Sequence, residues 1–151
     1  MVLTLSIVVL IMGMVLLSTG NLGREARLRG QVQEVSDLVR GTRFRAMTER
    51  TPWRIEWHPG RLVSVAAGKE VLGEDGEMEG AQIVRVGKDF EIRVRRSADV
   101  PWENLEGQVW SFDPTGVVGT MLIRFDREQA YVEVEADPLT GRLLETGFYL
   151  P

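Results

Sequence analysis

Catalysis and ion binding need side chains that hold protons, metals or reactive electron pairs, and this sequence groups few of them. His58 is the single histidine and there is no cysteine. That excludes imidazole clusters, thiolate nucleophiles, Cys-based metal sites and a disulfide framework. His58 stands between Trp57 and Pro59 and reads as a turn residue. Glu74, Asp75, Glu77 and Glu79 crowd the stretch GEDGEMEG, and oxygen-rich groups are what calcium takes. Their spacing matches no EF-hand, so they read as a solvated acidic loop. Arg93, Arg95 and Arg96 are candidates for phosphate contact. Asp89 and Glu91 dilute that patch, and the three read as the outward side of a strand. Trp102 and Trp110 read as core rather than as a ligand platform. No Gly-rich phosphate loop or nucleophile motif occurs. These residues predict no enzyme, no catalytic residue, no cofactor and no bound metal.

Charge is unevenly spread. The net charge of -4 divides into +3 over Arg24 to Arg50, with seven Arg against four acids, and -7 over the remainder. An acidic C-terminal part lacks the basic face that a general nucleic-acid binder shows, so no nucleic-acid partner is expected. The 151 residues allow one globular domain and an appendage.

The elements that position these residues begin with a stretch free of charged side chains from Met1 to Gly23. As a helix it would rise about 35 Å at 1.5 Å per residue, and a membrane span needs roughly 20 residues. It has no basic start, and Ser18-Thr19-Gly20 is its one small-x-small site. A retained helix is therefore favoured over a cleaved signal. Beyond it, Leu28, Val32, Val35, Val39, Thr42 and Ala46 recur at alternating spacings of four and three, one stripe of a helix. Leu38 and Met47 widen the stripe. Arg29, Gln33, Asp37, Arg40 and Arg43 lie opposite. Gly30 and Gly41 weaken the helix, by up to about 1 kcal/mol each against Ala, and Thr51-Pro52 ends it. One helix, or two nearly continuous ones, is expected over about residues 2–50, with the stripe residues packing it on a sheet.

After Pro52 the period changes to two. WRIEW alternates, with Trp53, Ile55 and Trp57 on one face, and FEIRVR puts Phe90, Ile92 and Val94 inward. His58-Pro59-Gly60-Arg61, Asp113-Pro114-Thr115-Gly116 and Asp137-Pro138-Leu139-Thr140-Gly141 are turns. Six to eight short strands follow. The expected fold class is α+β: a long N-terminal helix, apolar over 1–23 and amphipathic over 24–51, packed on a mostly antiparallel β-sheet domain over 52–151.

Three stretches resemble one family. TLSIVVLIMGMV is similar to the N-terminal segment of type IV pilins and type II secretion pseudopilins. ARLRGQVQEVSDLVRGTRFRAMTERTPWRIEW resembles the helix and first strand of H-type minor pseudopilins, and SFDPTGVVGTMLIRF with VEVEADPLTGRL resembles their C-terminal hairpins. The resemblance covers nearly the whole chain. It implies a pilin-like fold and a structural subunit of a secretion pseudopilus or related pilus. Such a subunit is stored as a single-pass protein of the bacterial inner membrane, with its globular domain in the periplasm. It implies a membrane or filament helix carrying Leu3, Thr4, Leu5, Ile7, Val8, Val9, Leu10 and Ile11. The implied partners are major and minor pilin-like subunits, the inner-membrane assembly platform, and prepilin peptidase where a leader precedes Met1. Thr4 stands where the family carries a glutamate, and Asn21 stands near the place of its usual helix-kinking proline. The alternative expectation is a membrane-anchored or secreted β-rich ligand-binding domain without filament assembly.

Overall fold

A computed structural model describes residues 23–69 and 80–151. Helix α1 is assigned to Val2–Glu49, and its side chains are described from Gly23 onward. Leu3, Thr4, Leu5, Ile7, Val8, Val9, Leu10 and Ile11 therefore lie outside the described residues, as do Glu74, Asp75, Glu77 and Glu79.

Along α1 the expected stripe is the hidden one. Leu28, Val35, Leu38, Val39, Thr42 and Ala46 are fully buried, and Val32 is half-buried. The helix stops at Glu49. Arg50 then takes a left-handed conformation, φ 52, the geometry with which helices commonly end, and Pro52 bars continuation.

Nine strands follow among the described residues: β1 (Trp53–His58), β2 (Arg61–Ala66), β3 (Gln82–Arg85), β4 (Glu91–Arg95), β5 (Glu103–Asn104), β6 (Val109–Phe112), β7 (Leu122–Arg127), β8 (Ala130–Ala136) and β9 (Leu143–Tyr149). They form two sheets, one ordered β3-β2-β1-β6 and the other β5-β4-β7-β8-β9. Every pairing is antiparallel. The α+β expectation is thereby corrected. Among the described residues the fold is mostly β, with 40% strand against 23% helix, the helix there being the 23–49 segment. The physical reason is that the single helix ends at Glu49 while short strands and turns take up the described residues after it, and strands adjacent in sequence are not always adjacent in space. β1 pairs with β6 in register Ile55↔Trp110, and β4 pairs with β7 in register Arg93↔Arg124. These long-range pairings divide the strands between two sheets.

Alternation sets what each strand buries. Trp53, Ile55 and Trp57 on β1 are buried, as are Ile92 and Val94 on β4 and Ile123 and Phe125 on β7, because successive residues of a strand face opposite sides. Residues of α1 and of both sheets join one apolar cluster: Leu28, Val39, Trp53, Ile55, Phe112, Phe125 and Val132 all belong to it. In β9 the register slips beside Glu133 and Val134, which pair with Gly147 and Glu145 and leave Thr146 as an extra residue.

Two buried polar residues meet inside this apolar surround. Thr42 and Ser64 are both fully buried, and their hydroxyl oxygens lie 2.7 Å apart. Thr42 Oγ1 also donates to Leu38 O at 2.7 Å. A hydroxyl has one hydrogen, so when Thr42 donates to Leu38, Ser64 donates to Thr42. Thr42→Val should therefore destabilise the fold by about 1–3 kcal/mol, the cost of a buried donor left without its acceptor. Adding Ser64→Ala should recover part of that loss. Urea unfolding of both variants measures it, and equal stability of Thr42→Val and wild type would show that the pair is energetically idle.

Candidate functional site

The side of α1 that the core leaves free is the first candidate surface. Gly30, Gln33, Asp37, Arg40, Phe44 and Met47 are exposed and follow one another at helical spacing. Gln33 Nε2 donates to Asp37 Oδ1 at 3.0 Å, and Arg40 Nη1 lies 3.7 Å from the same oxygen. The stripe is polar until its last turn. There Phe44 is 68% exposed, next to exposed Met47.

Two turns close on this end of the helix through Arg43. Its Nε donates to Gly116 O at 2.7 Å, and its Nη2 donates to Leu139 O at 2.6 Å. The turns are the two Asp-Pro stretches that end in Thr-Gly or Leu-Thr-Gly. In the first, Asp113 Oδ1 accepts Thr115 N at 2.8 Å and Gly116 N donates to Asp113 O at 2.9 Å. In the second, Asp137 Oδ1 accepts Leu139 N at 2.9 Å and Thr140 N at 2.8 Å. Val118 N donates to Pro138 O at 2.9 Å and joins the two. Glycine is needed at their ends for two reasons. Gly116 and Gly141 have φ 84 and φ 67, which side chains rarely adopt. A Cβ at Gly116 would lie 2.6 Å from Met47 Sδ, and one at Gly141 would lie 2.9 Å from Arg43 Cδ. The turns carry exposed Val117 and Leu139, the latter 70% exposed, and the last turns of α1 carry exposed Phe44 and Met47, of which Met47 lies against Gly116.

The other end of the described helix is held by Gln31. Its Nε2 donates to Arg85 O at 3.2 Å, and its Oε1 accepts Gly87 N at 3.3 Å. Arg29 bridges Glu25 at 2.8 Å and Glu145 at 2.9 Å, and its guanidinium lies 5.2 Å from the Phe148 ring centre. Gly41 lies against the Gln82 side chain of β3, whose Oε1 a Cβ there would meet at 2.9 Å and could displace. No periodicity marks Gln31 or Gly41, and it placed Arg43 on the polar side. The repeated Asp-Pro turn was the one sequence signal near this clamp.

The residues singled out for chemistry are dispersed. His58 ends β1, and its Nε2 lies 3.2 Å from Glu56 Oε2, a part-buried carboxylate whose other oxygen contacts Arg54. Arg93 is held by Asp126 at 2.8 Å. Arg124 contacts Asp126 at 2.9 Å and Glu133 at 3.3 Å, so the outward side of β4, β7 and β8 is charge-paired. Trp110 is buried, as expected, and its Nε1 donates to Gly119 O at 3.1 Å. Trp102 departs from its core assignment: it is half-buried, with the Arg95 guanidinium 4.3 Å from its ring centre. Among the described residues no cluster of His, Asp or Glu is arranged to hold a metal, and no helix is long and apolar enough to cross a membrane. Compared with protein-family models, curated proteins and solved structures, the chain matches none.

Both turn aspartates have carboxyls held below the ordinary value of 3.8, Asp113 by the backbone N–H of Thr115 and Asp137 by those of Thr140 and Leu139. Hydrogen bonds to the ionised form favour it. A carboxyl depressed by folding contributes stability above its unfolded pKa, and that contribution disappears as pH falls through the folded value. Thermal melts should therefore show stability falling as pH drops below 3.8, less steeply in Asp137→Asn, which keeps the acceptor oxygen but cannot titrate. Superimposable acid profiles would count against this role. Arg43→Ala should cost about 1–2 kcal/mol at neutral pH, from loss of its charged donors to two carbonyls, and urea unfolding reads that directly.

Proposed function

We propose that the chain is a minor pseudopilin, a structural subunit of a type II secretion pseudopilus or a type IV pilus-like filament that supports protein secretion. Its proposed place before assembly is the bacterial inner membrane, as a single-pass protein with the β-rich domain in the periplasm. Its proposed partners are other pilin-like subunits and the inner-membrane assembly platform. The observation that carries this reading is the two-sidedness of α1. The uncharged stretch from Met1 to Gly23 runs directly into a helix with one side in the core. The opposite side, through Gln33, Arg40 and Phe44, is exposed. A helix arranged in this way has a surface left over for a neighbouring helix, and its apolar beginning suits lipid or a bundle.

The identity of residue 4 refines the role. Thr4 carries a hydroxyl where the resembling family carries a carboxylate. A buried carboxylate needs a cationic partner, whereas a threonine hydroxyl is satisfied by a backbone carbonyl one turn back. A subunit without that carboxylate gains no charge pairing with the next copy of itself. It is suited to a single position such as a tip rather than to repeated addition.

The absence of cysteine makes the test clean. Gln33→Cys or Arg40→Cys in the full chain should form oxidative crosslinks in its native membrane to one or a few cysteine-tagged pilin-like subunits, with little self-crosslinking. Glu106→Cys, on the exposed loop between β5 and β6, should crosslink far less. Long homopolymers of the wild-type chain would defeat the single-position role. A chain that stays soluble and crosslinks to no pilin-like subunit would defeat the filament reading itself.

A further inference from the structure

The described part of α1 is held to the domain in two different ways, and the change falls at Leu28. From Leu28 onward the helix buries apolar side chains in the core. Gln31 adds hydrogen bonds between neutral groups, to Arg85 O and from Gly87 N. Before Leu28 no apolar side chain is buried among the described residues. Gly23, Arg24, Ala26 and Arg27 are exposed and Glu25 is half-buried, and a Cβ at Gly23 would meet nothing within 4 Å. What joins this end of the helix to the domain is charge. Arg24 Nε lies 3.4 Å from Glu128 Oε2, on the turn between β7 and β8. Arg29 Nη1 lies 2.9 Å from Glu145 Oε2 on β9, and its Nε donates to Glu25 Oε1 at 2.8 Å. Asp89, in the turn before β4, has its carboxyl held below the ordinary range, first by the hydrogen bond from Arg127 and in smaller part by the charge of Arg27. Three cations on less than two turns of helix thus face acids on three separate segments of the chain.

Such an attachment responds to salt, and the core does not. The side chains of the Arg24–Glu128 and Arg29–Glu145 pairs are between 42% and 56% exposed. Exposed pairs are individually weak and are screened by dissolved ions. The attraction between Arg29 and the Phe148 ring, 5.2 Å away, is electrostatic as well. Burial of Leu28, Val35 and Val39 draws on the hydrophobic effect instead, which salt does not screen. We propose that residues 23–27 of α1 form an electrostatic strap, docked against the β7–β8 turn, β9 and the turn before β4 at low ionic strength and released at high ionic strength, while the helix from Leu28 onward stays packed. Release lets this first described turn swing or unwind, and so changes the direction in which the chain before Gly23 leaves the domain, without opening the core. The strap goes beyond the filament reading and does not depend on it.

Because the chain has no cysteine, pairs of neutral spin labels can report the movement in the full chain in detergent. Ala26→Cys with Ser111→Cys puts one label on the strap and the other on an exposed position of β6. Gln33→Cys with Ser111→Cys is the control on the packed part of the helix. Distance distributions are recorded at about 0.01 M and about 1 M NaCl, between which the screening length falls from about 30 Å to about 3 Å. The Ala26 pair should give one narrow distribution at low salt and a broader, shifted one at high salt. The Gln33 pair should give the same distribution at both. Glu128→Lys with Glu145→Lys should produce the high-salt distribution of the Ala26 pair already at low salt. Exchanging one pair of charges, Arg24→Glu with Glu128→Lys, should keep it narrow. An Ala26 distribution that ignores salt or the charge reversals would overturn the proposal. So would a Gln33 pair that broadens alongside it, because the whole helix would then be leaving the sheets. None of these outcomes involves a partner subunit, so they stand apart from the crosslinking test of the filament role.

Discussion

The rotation of one helix about its own axis is the constraint on which the remaining structure depends. Residues of α1 and of both sheets belong to a single apolar cluster, so a helix turned by one residue, about 100° at 3.6 residues per turn, would move Leu28, Val35, Val39 and Ala46 out of it together. Two neighbouring side chains lock that angle by different means. Thr42 looks inward and meets Ser64, while Arg43 reaches sideways to Gly116 O and Leu139 O. At the other end Gln31 fixes the same rotation against Arg85 and Gly87. The burial of the stripe supplies most of the free energy, at about 25 cal/mol per Å² of apolar surface. The polar contacts contribute less and decide register, because each is satisfied at one rotation only.

That rotation also decides what the helix has left to offer. With the stripe hidden, the exposed residues run from Gly30 through Gln33, Asp37 and Arg40 to Phe44. The first part is polar and locally paired, so it costs little to leave in water. The last turn is not. Phe44, Met47, Val117 and Leu139 are large apolar side chains left in solvent around the clamp, and grouped exposure of this kind marks interaction surfaces more often than scattered exposure does.

Both sheets pair their charges, the first through Arg54 and Glu56 on β1. On the second sheet Arg93, Asp126, Arg124 and Glu133 neutralise one another across β4, β7 and β8, and Arg124 also lies 3.7 Å from the Tyr131 ring centre. Partly exposed pairs of this sort add little stability, about 0–1 kcal/mol each. Their larger consequence is that no open cationic face remains there. Arg95 escapes this pairing because the chain after β4 folds Trp102 against it and supplies a carbonyl instead of a carboxylate.

Local pattern by itself determined a good part of this molecule. The 4-3-4-3-4 spacing identified the buried side of α1, period-two alternation identified the inward residues of β1 and β4, and Pro and Gly located the turns at 59–60, 113–116 and 137–141. These are properties of a few consecutive residues, and the backbone geometry that repeats every 3.6 or 2.0 residues makes them visible. Only the tertiary structure decided that the strands divide into two sheets, because the pairings of β1 with β6 and β4 with β7 join residues more than 25 positions apart and no local period encodes them. The same holds for Gly41, read from sequence as a weak point of the helix and found at the close approach to Gln82. It holds for Arg43, assigned to the polar side and found clamping two turns, and for Trp102, assigned to the core and found under Arg95. In each case the residue's role is set by a partner distant in sequence, and chain-local physics carries no information about which distant partner the folded backbone will bring within reach.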